Sequence, residues 1–82
     1  MNLLMAPVNT PLKIIKVKME GSQERQLSSM GFVAESEIMV ITENSGNLIV
    51  NVKDWRVAIG KEIAQKIIVK INQESILNYF DR

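Results

Sequence analysis

The chain is predicted to be mainly β: a small, partly open barrel of about five short strands, with one short helix after the first strand. Three observations point there. Short β-branched runs recur, separated by Gly, Asn, Asp and Ser turn residues. Only one early stretch carries helix signals at both ends, a capping serine before it and a glycine after it. The length, 82 residues with 46% hydrophobic, suits one core and leaves no room for a second.

Residues 1–10 read as an N-terminal tail. Met1 to Val8 is apolar but brief, lacks a basic start and is interrupted by Pro7. It does not make a signal peptide and is expected to lie loosely over the core. The first strand is expected over 12–19, with Ile15, Val17 and Met19 alternating against Lys16 and Lys18. Gly21-Ser22 then breaks the alternation. Ser22 is a helix cap by type, and Glu24 falls in the first turn, where the helix dipole favours a negative charge. A helix over 23–30 would place Leu27 and Met30 on one face and end at Gly31, which tolerates the left-handed conformation of a helix stop.

A second strand is expected over 36–43. Its middle, Ile38 to Ile41, is apolar on both faces, as in a strand covered twice or bent across a barrel corner. Asn44-Ser45-Gly46-Asn47 reads as a four-residue hairpin loop leading to a third strand over 48–53. Asp54 turns the chain into a fourth strand over 55–59, in which Trp55, Val57 and Ile59 alternate. One helical turn at most over 60–65 precedes a fifth strand over 66–71. The final segment, 72–82, reads as a C-terminal tail that can form a short helix, with Asn72 as cap and Ile76, Leu77 and Phe80 as an apolar stripe. The expected core is Ile15, Val17, Leu27, Met30, Ile38, Val40, Leu48, Val50, Val52, Val57, Ile59, Ile67 and Val69, and Trp55 reads either as a core anchor or as a surface hot spot.

Composition removes most chemistry. There is no cysteine and no histidine, so zinc fingers, iron–sulfur ligation, disulfides and Ser-His or Cys-His catalysis are excluded. The carboxylates are scattered singly, with Glu35 and Glu37 the nearest same-face pair. This is not a metal-ligand pattern, no nucleotide-binding glycine loop is present, and neither a metal nor another cofactor is expected. Ten Lys and Arg against nine Asp and Glu give a net charge of +1. Lys13, Lys16 and Lys18, with Lys66 and Lys70, would form a modest basic stripe if the first and last strands were neighbours. No aromatic residue interleaves with them, so nucleic acid is a poor fit. No run approaches the roughly 20 apolar residues of a membrane span, so no membrane insertion is expected. The lack of cysteine agrees with a cytoplasmic location.

Four strings, taken in order, resemble one family: Glu24 through Met30-Gly31-Phe32-Val33, Ser36 through Val40, Gly46-Asn47 through Val52, and Arg56-Val57-Ala58-Ile59 through Ala64. Over about residues 11–71 the chain resembles the FeoA family, small proteins of bacterial ferrous-iron uptake with an SH3-like barrel. Leu48 stands where that family commonly has proline, and Gly60 where it commonly has arginine. The resemblance implies a non-enzymatic, cytoplasmic accessory protein that contacts a FeoB-type membrane ferrous-iron transporter. The expected protein-binding face is Arg25, Ser29, Met30, Phe32 and Met39, because methionine suits adaptable binding surfaces. Two other readings stay open: an SH3-like regulatory domain of the metal-dependent repressor type, and a small RNA-binding barrel. A homodimer through an open strand edge or the tail stripe is also left open.

Overall fold

In a computed structural model the chain forms one five-stranded antiparallel sheet, with the strand order β4-β3-β2-β1-β5. The strands are β1 (Leu12–Val17), β2 (Glu37–Asn44), β3 (Asn47–Val52), β4 (Trp55–Gly60) and β5 (Ile67–Ile71). Helix α1 (Gly21–Ser29) joins β1 to β2, and the single turn α2 (Lys61–Ala64) joins β4 to β5. A short 3-10 helix, Leu3–Met5, precedes β1. The structure describes residues 1–74. The expected stripe of Ile76, Leu77 and Phe80 lies outside them.

The sheet bends at two irregularities. The β1–β5 register shifts between Ile14 and Lys16, and the β2–β3 register between Val40 and Thr42. An extra residue in one strand turns that strand and re-aims the side chains beyond it. This corrects the reading of β1. Leu12 and Ile14 are fully buried, while Ile15, expected in the core, is 45% exposed. The alternation counted back from Val17 fails because the bulge sits at Ile15. The apolar middle of β2 is the second bend, with Ile38 and Val40 buried and Met39 and Ile41 half-buried.

The core gathers Leu12, Ile14, Leu27, Phe32, Ile38, Val40, Leu48, Val50, Val52, Ile59, Ala64, Ile67 and Val69. Leu3, from the first ten residues, is buried with them. That segment is tied at several points. Asn2 bridges Ile68, the Val69 N–H donates to the Met1 carbonyl at 2.8 Å, and the Asn9 N–H donates to the Val40 carbonyl at 2.7 Å.

Helix α1 is capped from the backbone. Its N-cap is Glu20 and no side chain caps it, so Ser22 lies inside the helix and not at its cap. Its C-terminus follows the expected stop. Gly31 has φ +103°, its N–H donates to the Ser28 carbonyl, and the Phe32 N–H donates to the Leu27 carbonyl at 2.9 Å. This paired pattern reverses the chain and brings Phe32 back to Leu27, the next apolar layer. The β2–β3 loop is shorter than expected. Asn44 pairs with Asn47, so only Ser45 and Gly46 form the turn, both with positive φ, as a twisted two-residue hairpin requires.

Candidate functional site

The α1 stop and the start of β4 build a mainly apolar concavity. It holds about 340 Å³ and is lined by Ser29, Met30, Trp55 and Val57. Burial along β4 explains it. Trp55, Val57 and Ile59 share the inward face, but Ile59 is buried, Val57 half-buried and Trp55 68% exposed. The core covers the α2 end of the strand and stops short of the turn end. Trp55 is therefore a surface residue, and of its two readings the core anchor is the one that fails. An indole left in water beside a half-buried methionine leaves apolar area exposed at this groove.

The five expected contact residues divide. Ser29 and Met30 line the groove, and Arg25 stands one helical turn before Ser29, on the same side of α1 and exposed. The Ser29 Oγ donates to the Gln26 carbonyl at 2.7 Å, so its hydroxyl is engaged within the helix end. Met39 lines a separate depression with Pro11, Ser36, Glu37, Ile38, Asn51 and Lys53. Phe32 is a correction: it is 2% exposed and belongs to the core, because the helix stop folds it inward over Leu27. Trp55 and Val57 complete the groove and were absent from the expected face.

Two carboxylates are engaged locally. Glu35 lies 3.7 Å from Lys13, and Glu37 accepts a 2.8 Å hydrogen bond from the Asn72 Nδ2. The same-face carboxylate pair is thus split between two different partners. Among the described residues no group of three potential metal ligands is assembled. Strands β1 and β5 are neighbours, with Lys13 opposite Lys70, so the basic stripe exists. It lies at the opposite end of the sheet from Trp55. No helix among the described residues is long and apolar enough to cross a membrane.

Comparison with known proteins gives the fold a lineage. The solution structure of iron(II) transport protein A from Clostridium thermocellum superposes with a TM-score of 0.83 at 21% identity, over 89% of this chain and 46% of that one. This chain thus spans about half the length of that relative. FeoA of Stenotrophomonas maltophilia, complexed with zinc and described as a prokaryotic SH3 domain protein, gives 0.73 at 24% identity, over 85% of this chain and 89% of that one. A manganese-dependent transcriptional repressor gives 0.74 at 19% identity, over 87% and 40%. No curated protein matches the chain. At these identities the structural likenesses establish an SH3-like fold. The FeoA domain model matches residues 1–71, and the chain belongs to the FeoA family.

Proposed function

We propose that this protein is a non-enzymatic accessory of bacterial ferrous-iron uptake. It acts in the cytoplasm by contact with a FeoB-type membrane transporter, and the contact is made through the Met30–Trp55 groove. The observation that carries the reading is Trp55, an exposed indole that lines an apolar groove with Met30. Tryptophan anchored in an apolar pocket is the residue type that most often dominates binding energy. Family membership supplies the process, and the Stenotrophomonas relative is itself described as a candidate activating factor of ferrous iron transport. Arg25, Ser29 and Met30 form the helix side of the face, and Met39 marks a second, separate contact.

The mechanism is a shift of populations. A module that binds one nucleotide state of the transporter better than another stabilises that state by the difference in affinity. The test is binding of the purified protein to the transporter's cytoplasmic nucleotide-binding domain, and to the intact transporter in detergent, with and without nucleotide. Saturable, state-dependent binding that falls about tenfold or more in Met30→Asp and Trp55→Ala is the expected result. Binding to neither preparation by a folded protein would defeat the reading. It would move weight to the regulatory alternative, which the repressor's similar fold favours.

A further inference from the structure

The two edges of the sheet are treated differently. On the outer edge of β5 the chain supplies its own cover. Asn2 bridges Ile68, and Met1 and Val69 exchange hydrogen bonds in both directions, at 2.8 Å and 3.2 Å. The outer edge of β4 has no such cover. Strand β4 pairs with β3 alone, and no other backbone hydrogen bond reaches its Arg56 or Ala58 among the described residues. The usual protections of an exposed edge are also thin. There is no proline in β4, no bulge in its ladder with β3, and a single charged residue, Arg56.

The geometry of that edge is defined. Val52 pairs with Trp55 across the two-residue turn Lys53-Asp54. The pair flanking such a turn exchanges hydrogen bonds, and the pattern then alternates along an antiparallel ladder. Trp55, Val57 and Ile59 therefore bond inward to β3, and Arg56 and Ala58 present their N–H and C=O groups outward. The groove of Met30, Trp55 and Val57 lies on the inward face of this same strand. Beside it stand two exposed cations, Arg25 one helical turn before Ser29 and Lys53 in the turn before Trp55, against Asp54, while the Arg56 side chain alternates to the other face of β4.

We infer that β4 is a strand-addition site. An extended segment of the partner pairs with the outward groups of Arg56 and Ala58, and its alternate apolar side chains enter the Met30–Trp55–Val57 groove. This rests on the protein-contact reading above and adds the form of the contact. Main-chain pairing holds such a segment, and the side-chain groove selects it. The surrounding cations favour a segment with carboxylates beside its apolar run.

Proline separates this inference from a contact of side chains alone. Ala58 is exposed and its N–H points away from β3, so Ala58→Pro removes an edge donor without breaking the β3–β4 ladder. Ala58→Ser keeps the donor. With the transporter's nucleotide-binding domain as the probe, Ala58→Pro is expected to weaken binding by about tenfold or more, while Ala58→Ser stays within about twofold. Hydrogen exchange of the wild-type protein supplies a second readout. The Arg56 and Ala58 amides exchange fast in the free protein and become protected in the complex, while the Val57 and Ile59 amides are protected in both.

Unchanged binding by Ala58→Pro, with loss in Met30→Asp, would overturn strand addition and leave the groove contact standing. No binding by the wild type would remove both. If Ala58→Pro fails to fold, the exchange data decide, and unprotected Arg56 and Ala58 amides in the complex overturn the inference. Protection that rises with protein concentration in the absence of partner would make the occupant a second copy of this chain and overturn it equally.

Discussion

Gly31 concentrates several demands in one residue. Its φ of +103° is strained for any L side chain, and a Cβ there would stand 2.7 Å from Val52 Cγ1, a fully buried atom group with nowhere to go. Gly31→Ala is expected to cost about 2 kcal/mol or more, from backbone strain and overpacking together. Urea unfolding measures it directly. The neighbouring residues part company at this turn. Phe32 points into the core, so Phe32→Asp is expected to unfold the domain, and Phe32→Ala to lose about 3–5 kcal/mol. Met30 is half-buried at the rim, so Met30→Asp is expected to keep a cooperative transition while losing partner binding. Sequence made the helix stop legible because glycine is the residue that such a φ selects. It did not reveal that the stop buries Phe32, because the direction of the residue after the glycine is set by two backbone hydrogen bonds and not by side-chain type. Arg25 tests a different property. As an exposed charge beside the groove, its reversal in Arg25→Glu is expected to slow association more than it speeds dissociation, with the difference shrinking as salt is added. Stopped-flow or surface-binding kinetics at two ionic strengths would show it.

The elements show where alternation works as a guide and where it fails. Strand β3 has no bulge against β4, and its pattern of Leu48, Val50 and Val52 reads correctly to the residue. Strand β1 carries a bulge, and the same counting places Ile15 inside when it is outside. Hydrophobicity cannot locate a bulge in a run such as Ile14-Ile15, where both candidate faces are offered the same side chain. The β2–β3 loop was recognisable as a turn from its Asn, Ser and Gly, but not its length, because Asn44 and Asn47 are acceptable both in a loop and in a closing pair. The groove stayed half hidden for a related reason. Its helix side could be read from Arg25, Ser29 and Met30, but its strand side depends on how far the core extends along β4. The first residues are structural. Leu3 is fully buried, so Leu3→Ala is expected to cost about 2–5 kcal/mol. It should also accelerate exchange of the Val69 amide, which donates to Met1.

At the scale of the molecule, the fold separates two surfaces. The lysines of β1 and β5 gather at one end of the sheet, and Trp55 with Met30 at the other. Binding of RNA by small barrels combines cationic and stacking groups on one surface, which this arrangement divides. With a net charge of +1, the protein is expected to show no micromolar RNA affinity even at low salt, a result that filter binding or fluorescence anisotropy can check. The closed β5 edge has a consequence for how copies of the molecule could accumulate. A sheet with two bare edges can grow without limit, each molecule joining head to tail and offering a fresh edge to the next. Here the hydrogen bonds of Met1 and Asn2 occupy one edge, so two molecules meeting through β4 leave no bare sheet edge among the described residues for a third to join. The opening residues thereby act as a chain terminator against filament formation. Removal of Met1 and Asn2, with the buried Leu3 kept, should turn a protein whose light scattering is flat over time into one whose scattering climbs with concentration.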